Sequence, residues 1–335
     1  MSAAGVAALL ADPSGAADLD TGSWTGILCT ARAERLLASL AHRLGGLDLP
    51  ADVRSVLDSA RADAEVGRAE ALWEAEMARR ALAPLGVPVV LLKGTAFVAA
   101  GLNAGQGRNI GDLDILVPHD RLDAVEAALL AAGWEWVKPD PYDDAYYRRW
   151  MHELPPLIHR DRDRMIDVHH TILPLTARPT PDPAALIADS VALANGLRTL
   201  CPADMVIHAA AHLLADGDLA GGLRNLWDID RLVREFDGEA FRATLDSRAK
   251  RHGLAEAVAL SRRLSAELFG TPVPDCHNGR HRRDPWYRAR LLARDGWGRK
   301  TRPLLRLAFY IRSHWLRMPP LMLARHLWIK WRKAS

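Results

Sequence analysis

The 335-residue sequence carries only three cysteines, Cys29, Cys201 and Cys276, far apart and without CxxC spacing. Their scarcity excludes a disulfide framework and a thiolate zinc site, and it fits a reducing compartment. Long hydrophobic runs are also missing, so no stretch matches the roughly 20 apolar residues that span a bilayer. The leading residues, MSAAGVAALLADPSGAADLD, have no basic segment and meet aspartate early, which argues against a secretory leader and for the cytoplasm. Net charge is nearly absent too, at +3, but the balance hides a division. Residues 279–335 hold 16 Lys or Arg against Asp284 and Asp295, a local +14, which leaves 28 basic and 39 acidic side chains, or −11, before them. A basic tail on an acidic body implies an intramolecular clamp or an anionic partner.

What is present is ordinary globular material, 49% hydrophobic and 25% charged, long enough for two compact domains. Apolar spacing predicts a helix over 27–43 and one long helix or two over 51–85, ended by Gly86. Residues 87–92 read as a buried strand, 95–102 as a short helix opening after Gly94, 113–117 as a strand stopped by Pro118, and 120–132 as a helix. Further strands are expected at 134–137, 146–151, 154–159 and 165–169, so the sheet is mixed. After Pro181 strand signals vanish and helices are expected at 183–189, 203–215, 223–236, 238–251 and 254–269.

The stretch 270–285 reads as a linker, followed by two basic, tryptophan-bearing amphipathic helices, one around Leu304, Leu307, Ile311 and Trp315 and one around Leu321, Trp328 and Trp331. The chain thus divides into an N-terminal helical segment (1–86), a sheet core (87–180), a helical domain (181–270) and a linker with a basic tail (271–335). Three readings of residues 286–335 stand side by side: an apolar stripe packed on the body, peripheral contact with an anionic inner membrane surface, or contact with nucleic acid.

Chemistry concentrates in VVLLKGTAFVAAGLNAGQGRNIGDLDILV, residues 89–117. Residues two apart on a strand share a face, so Asp112 and Asp114 project two carboxylates together while Leu113, Ile115 and Val117 face a core. Adjacent carboxylates repel unless a cation lies between them, and the fitting ion is hard and divalent, Mg²⁺ before Ca²⁺. Asp167, in MIDVHH, joins them if its strand neighbours theirs, and three such aspartates make a two-metal site possible. Gly94 and Thr95, where strand turns into helix, offer amides and a hydroxyl to a phosphate, with Lys93 and Arg108 adding positive charge. Other readings of those two cations are a surface ion pair or a charge partner for Asp112.

His208 and His212 stand one helical turn apart without an adjacent glutamate, thin support for zinc, and His169 shares the face of Asp167. Asp228 and Asp230 diverge by about 200° on a helix; salt links to Arg224, Arg231 or Arg234 explain them better than a metal.

The order LKGT, RNIGDLDILV, MIDVHH is similar to an uncharacterised nucleotidyltransferase family within the DNA polymerase β-like superfamily, in layout over residues 27–236. Gly94 and Thr95 stand where the superfamily has Gly followed by Ser or Gly, Asp112 and Asp114 match its metal pair, and Asp167 its third carboxylate. Two departures are visible: eighteen positions separate Gly94 from Asp112, longer than the usual gap, and Lys93 stands where an apolar residue is common. The resemblance implies an α+β fold, a small mixed-sheet nucleotidyltransferase core with flanking helices followed by an all-helical region. It implies an enzyme that moves a nucleoside monophosphate from a nucleoside triphosphate, ATP foremost, to an acceptor hydroxyl with release of pyrophosphate. Mg²⁺ or Mn²⁺ would be held by Asp112, Asp114 and Asp167, also the catalytic residues, and the triphosphate by Lys93, Gly94, Thr95 and Arg108. The acceptor stays open among small molecules, peptides and proteins. The rival expectation is a nucleotide-binding or interaction module that keeps the fold without turnover.

Overall fold

The computed structural model describes residues 3–138, 140–273 and 281–318, together with Leu323 and Trp328. Among them the chain forms α1 (Ala3–Ala11), α2 (Thr21–Ala33), α3 (Leu37–Arg43), α4 (Ala51–Leu82), β1 (Val90–Leu91), α5 (Lys93–Ala99), β2 (Asp112–Leu116), α6 (Leu122–Ala131), β3 (Trp134–Trp136) and α7 (Pro141–Trp150). There follow β4 (Leu157–His159), β5 (Met165–His169), α8 (Pro183–Ala188), β6 (Val191–Ala192), β7 (Arg198–Thr199), α9 (Pro202–Ala210), α10 (Gly222–Phe236), α11 (Glu239–Arg251), α12 (Ala255–Phe269), α13 (Asp284–Leu291) and α14 (Pro303–Arg317). The predicted linker segment around Cys276 and, apart from Leu323 and Trp328, the second basic helix lie outside the described residues.

The seven strands form one sheet in the order β3-β4-β5-β2-β1-β7-β6, mixed because β2 pairs with β5 and β1 with β7 in parallel while the other neighbours run antiparallel. The fold is therefore α+β, a small mixed sheet with helical regions. Leu113, Ile115 and Val117 are buried along β2, and the long α4 lies across β2, α5 and α6. The charged turn 160–164 fixes that helix: Arg162 Nε donates to the buried Glu74 carboxylate at 2.5 Å, and Arg164 pairs with Glu70. Beyond the sheet, α10 packs between α9 and α12 with Leu223, Leu226, Trp227, Leu232 and Val233 all buried, and α1 returns to pack on α12. One buried cluster runs from Ala3 through the strands to Phe269 and Phe309.

Three local expectations fail, each for a visible reason. Residues 146–151 are helical because Asp140 accepts from the amides of Tyr142 and Asp143, Pro141 takes the first helical position, and Arg148 bonds Asp144 one turn back. Strands do occur after Pro181: the Asn195-Gly196 turn, with Gly196 at φ +87°, folds β6 onto β7, and β7 then adds to β1. The helix expected over 27–43 is two, because Arg35 adopts φ +58° and the Leu36 amide closes back onto the Ala31 carbonyl at 2.7 Å. The alanine-rich lead, within the segment expected to be helical, holds α1.

The long gap between Gly94 and Asp112 is a packed loop. Ser39 Oγ donates to the carbonyls of Gln106 and Gly107 at 3.1 Å each, Arg224 Nη2 to Ala104 O at 3.2 Å, and the Asn103 amide to Glu235 at 2.8 Å. Gly107, at φ +62°, lies so close to α3 that a Cβ would fall 2.4 Å from the Ala38 carbonyl carbon. Gly107→Ala should therefore destabilise the fold by about 2–3 kcal/mol. Gly67→Ala, in open space on α4, should stabilise it by about 0.5–1 kcal/mol. Denaturant melts of the two variants check both signs, and a Gly107→Ala protein as stable as the parent would contradict the seating of the loop on α3.

Candidate active site

The parallel register of β2 and β5 sets Asp112 opposite Met165, Asp114 opposite Asp167 and Leu116 opposite His169. Alternation then places Asp112, Asp114 and Asp167 together, one carboxylate oxygen of each lying within 4.8 Å of the others. Asp112 is exposed at the strand start, Asp167 half-buried, and Asp114 buried. The neighbouring strand that the position of Asp167 required is thus β5.

Lys93 reaches this group from the start of α5, its Nζ 2.5 Å from Asp114 Oδ1. His169 Nε2 approaches the same oxygen at 3.0 Å and Glu153 Oε2 at 3.5 Å, which makes Nε2 the protonated nitrogen. Burial opposes a charge on Asp114, but Lys93 and His169 outweigh it and hold this carboxyl well below the ordinary range. Asp167 goes the other way: burial, then the charges of Asp114 and Glu153, push it up to about 7. Burial would lower Lys93 as well, yet Asp114, Asp112 and Glu153 raise it. Lys93 sits at φ +48°, a conformation costing about 1–2 kcal/mol for a residue with a Cβ, which directs its amine into the site.

The glycine turn differs from the open anion cradle expected of it. Gly94 and Thr95 lie inside the first turn of α5 and both are buried. Arg108 roofs Gly94 so closely that a Cβ there would fall 2.4 Å from Arg108 Nε. Arg108 itself pairs with Asp228, and its guanidinium stands 5.6 Å from the centre of the Phe97 ring. The Thr95 hydroxyl is buried without a hydrogen-bond partner among the described residues. The structure therefore gathers Lys93, Asp112, Asp114 and Asp167, while Arg108 covers Gly94 and faces Asp228.

Glu153, not singled out from sequence, and several histidines complete the surroundings. A bridge between Glu153 and His169 draws the segment before β4 alongside β5, so His152, Glu153 and His169 form a second group of possible ligands within 4.8 Å of one another. Glu153 lacked any signal, since it belongs to no regular strand. His208 and His212 line a small cavity of about 40 Å³ with Lys93, Arg108, Asn225 and Asp228. Burial, with Lys93 close by, holds His208 well below its ordinary value and lowers His212 to about 4. Both are therefore neutral imidazoles near pH 7, and among the described residues neither joins a group of three possible metal ligands. On α10, Asp228 bonds Arg224 and Asp230 bonds Arg231 and Arg234, the salt links expected from the sequence.

Three carboxylates answered by one lysine suit a hard cation, and a proton retained on Asp167 marks the missing positive charge. With the carboxyl raised from 3.8 to about 7, the folded state binds the extra proton. The contribution of Asp167 to the stability of the metal-free protein is accordingly full below about 3.8 and lost as pH climbs through about 7. Thermal melts should show Asp167→Asn stabilising the metal-free chain at pH 8 and not at pH 4, with Mg²⁺ raising Tm at pH 8 only in the parent. Equal Mg²⁺ shifts in the two proteins would exclude Asp167 from the metal group.

No curated protein matches the chain. Residues 20–270, the span holding the sheet, the carboxylates and α9–α12, match the family model described as uncharacterised nucleotidyltransferase. With the paired aspartates of β2 and the third on β5 in place, the chain belongs to that nucleotidyltransferase family.

Proposed function

We propose that the protein is a Mg²⁺-dependent nucleotidyltransferase, Mn²⁺ serving in its place, that uses a nucleoside triphosphate, ATP foremost, and an acceptor hydroxyl on a small molecule, peptide or protein. The observation that carries this reading is the register pairing Asp114 with Asp167 beside Asp112. Asp112, Asp114 and Asp167 would hold the divalent ion, which would neutralise phosphate charge and acidify the acceptor hydroxyl. Asp167, opposite Asp114 in the register and beside the acceptor's place at the ion, would help receive the hydroxyl proton. The acceptor oxygen bonds to the α-phosphorus, the bond to the β-phosphate oxygen breaks, and pyrophosphate departs. Lys93 and Arg108 supply positive charge for the triphosphate, and Thr95 an unpartnered hydroxyl. A cavity of about 40 Å³ holds a few waters and no nucleoside, so binding requires Arg108 to swing off Gly94.

Purified protein given each triphosphate, Mg²⁺ and a panel of hydroxyl acceptors should release pyrophosphate. Asp112→Ala should lower that rate by several kcal/mol of barrier, at least about a thousandfold. Nucleotide binding without pyrophosphate release across the panel would favour the non-catalytic module instead.

The described part of the tail favours a peripheral role. Leu304, Leu307, Ile311 and Trp315 form one exposed stripe on α14, whereas Phe309 and Ser313 are the residues it buries. The stripe therefore stays exposed, and with Arg302 and Arg306 at the same end the helix suits an anionic bilayer surface. Vesicles rich in phosphatidylserine should co-sediment the protein and phosphatidylcholine vesicles should not, and Leu304→Ser with Ile311→Ser should abolish the capture. Steeply salt-dependent binding to single-stranded DNA without vesicle capture would favour nucleic acid.

A further inference from the structure

A second cleft, of about 310 Å³, lies between α13, α14 and the start of α10, and it shares no lining residue with the cavity beside the carboxylates. We infer that it is a binding site for a phosphate monoester. Arg290, Arg294, Lys300 and Arg306 line it against Glu34 and Asp218, an excess of two positive charges. A monoester with its second ionisation near pH 6 carries about −2 at neutral pH.

The cations are not equally engaged. Arg294 is fully employed: it pairs with Glu34 and donates to the carbonyls of Gly298 and Ala33 at 2.8 and 3.1 Å. Arg290 is 7% exposed, meets Asp218 at 3.4 Å, and keeps a buried Nε without a partner. Such an arrangement is costly unless another acceptor completes it. Among the described residues, Lys300 and Arg306 have no carboxylate partner. Arg290, Lys300 and Arg306 belong to α13, the turn after it and α14, so they reach the cleft from three directions, as a tetrahedral dianion accepts. Leu291, Leu307 and Tyr310 add an apolar wall, which favours a phosphate bearing an organic group over the bare ion.

Two sources share this chemistry, a soluble phosphate monoester and the headgroup of a monoester lipid, the second because the exposed stripe of α14 borders the cleft. Calorimetry with glycerol 3-phosphate and flotation with vesicles containing phosphatidic acid separate them. Lys300→Ala with Arg306→Ala, both partly or fully exposed positions, should weaken the productive arm at least tenfold, while Lys93→Ala should leave it intact. Saturable binding of glycerol 3-phosphate with no preference for phosphatidic acid over phosphatidylserine at equal charge identifies a soluble ligand; the reverse preference identifies a lipid. Absence of binding in both arms, insensitivity to the double substitution, or loss in Lys93→Ala overturns the site. Because the readout is binding away from the aspartates, its failure leaves nucleotidyl transfer untouched, and the converse holds.

Discussion

The parallel pairing of β2 with β5 is the constraint on which the site depends. A ladder that sets Asp114 directly opposite Asp167, with Asp112 two residues away, forces like charges together, and the surrounding chain must offset that repulsion. Lys93 does so from a left-handed backbone conformation at the start of α5, and His169 does so from two residues further along the strand of Asp167 itself. Both act on the same oxygen of Asp114, so that carboxylate is compensated while Asp167 is left to hold a proton near neutral pH. The two facing carboxyls therefore differ: burial with Lys93 and His169 beside it keeps Asp114 well below the ordinary range, whereas burial and the neighbouring carboxylates raise Asp167.

The second dependence runs through α10. Arg224 and Asp228 bond one another, Arg224 also reaches Ser39 and the Ala104 carbonyl, and Asp228 takes Arg108. A buried network of this kind is destabilising when any member is lost, because the remaining charge has no water to turn to. It ties the helical region, the loop 100–111 and α3 to the roof over Gly94. The unusual length of that loop is therefore occupied by packing, with Ala104, Gly105 and Gly107 all buried, and Arg108 emerges from it above the turn. The helical region is thereby tied to the glycine turn through Asp228 and Arg108, and that link is invisible in any linear spacing.

Legibility followed the range of the determining interaction. The pattern D-x-D followed by I-D-V was readable because alternation on a strand is local, and β5 falls on the predicted residues. The helices α10, α11 and α12 were readable from apolar repeats that here coincide with burial. Both the capped start of α7 and the Asn-Gly turn of the β6–β7 hairpin are written locally, at Asp140-Pro141 and Asn195-Gly196, against the strand expected at 146–151 and the helices expected throughout after Pro181. The break at Arg35 was not, since a non-glycine residue at positive φ leaves no compositional trace. Glu153, His208 and His212 reached the site through tertiary approach alone, as did the pairing of Arg108 with Asp228.

The division between an acidic body and a basic tail resolves into two parts with different consequences. One part is internal: Arg294 to Glu34, Arg290 to Asp218 and Arg288 to Glu267 pin α13 and the following turn to the body, and Asp284 answers Arg263 from the other side. These contacts are the intramolecular clamp that the charge count allowed. In the other part, among the described residues, Lys300 and Arg306 line the second cleft without a carboxylate partner, while Arg312 donates to the Leu214 carbonyl and α14 leaves an apolar stripe exposed to solvent. Had the tail served only to neutralise the body, its uncompensated charge would be scattered and its apolar residues buried. Instead Lys300, Arg306 and the exposed stripe lie together at one cleft, so among the described residues α13 is pinned to the body by ion pairs while α14 keeps its apolar face outward.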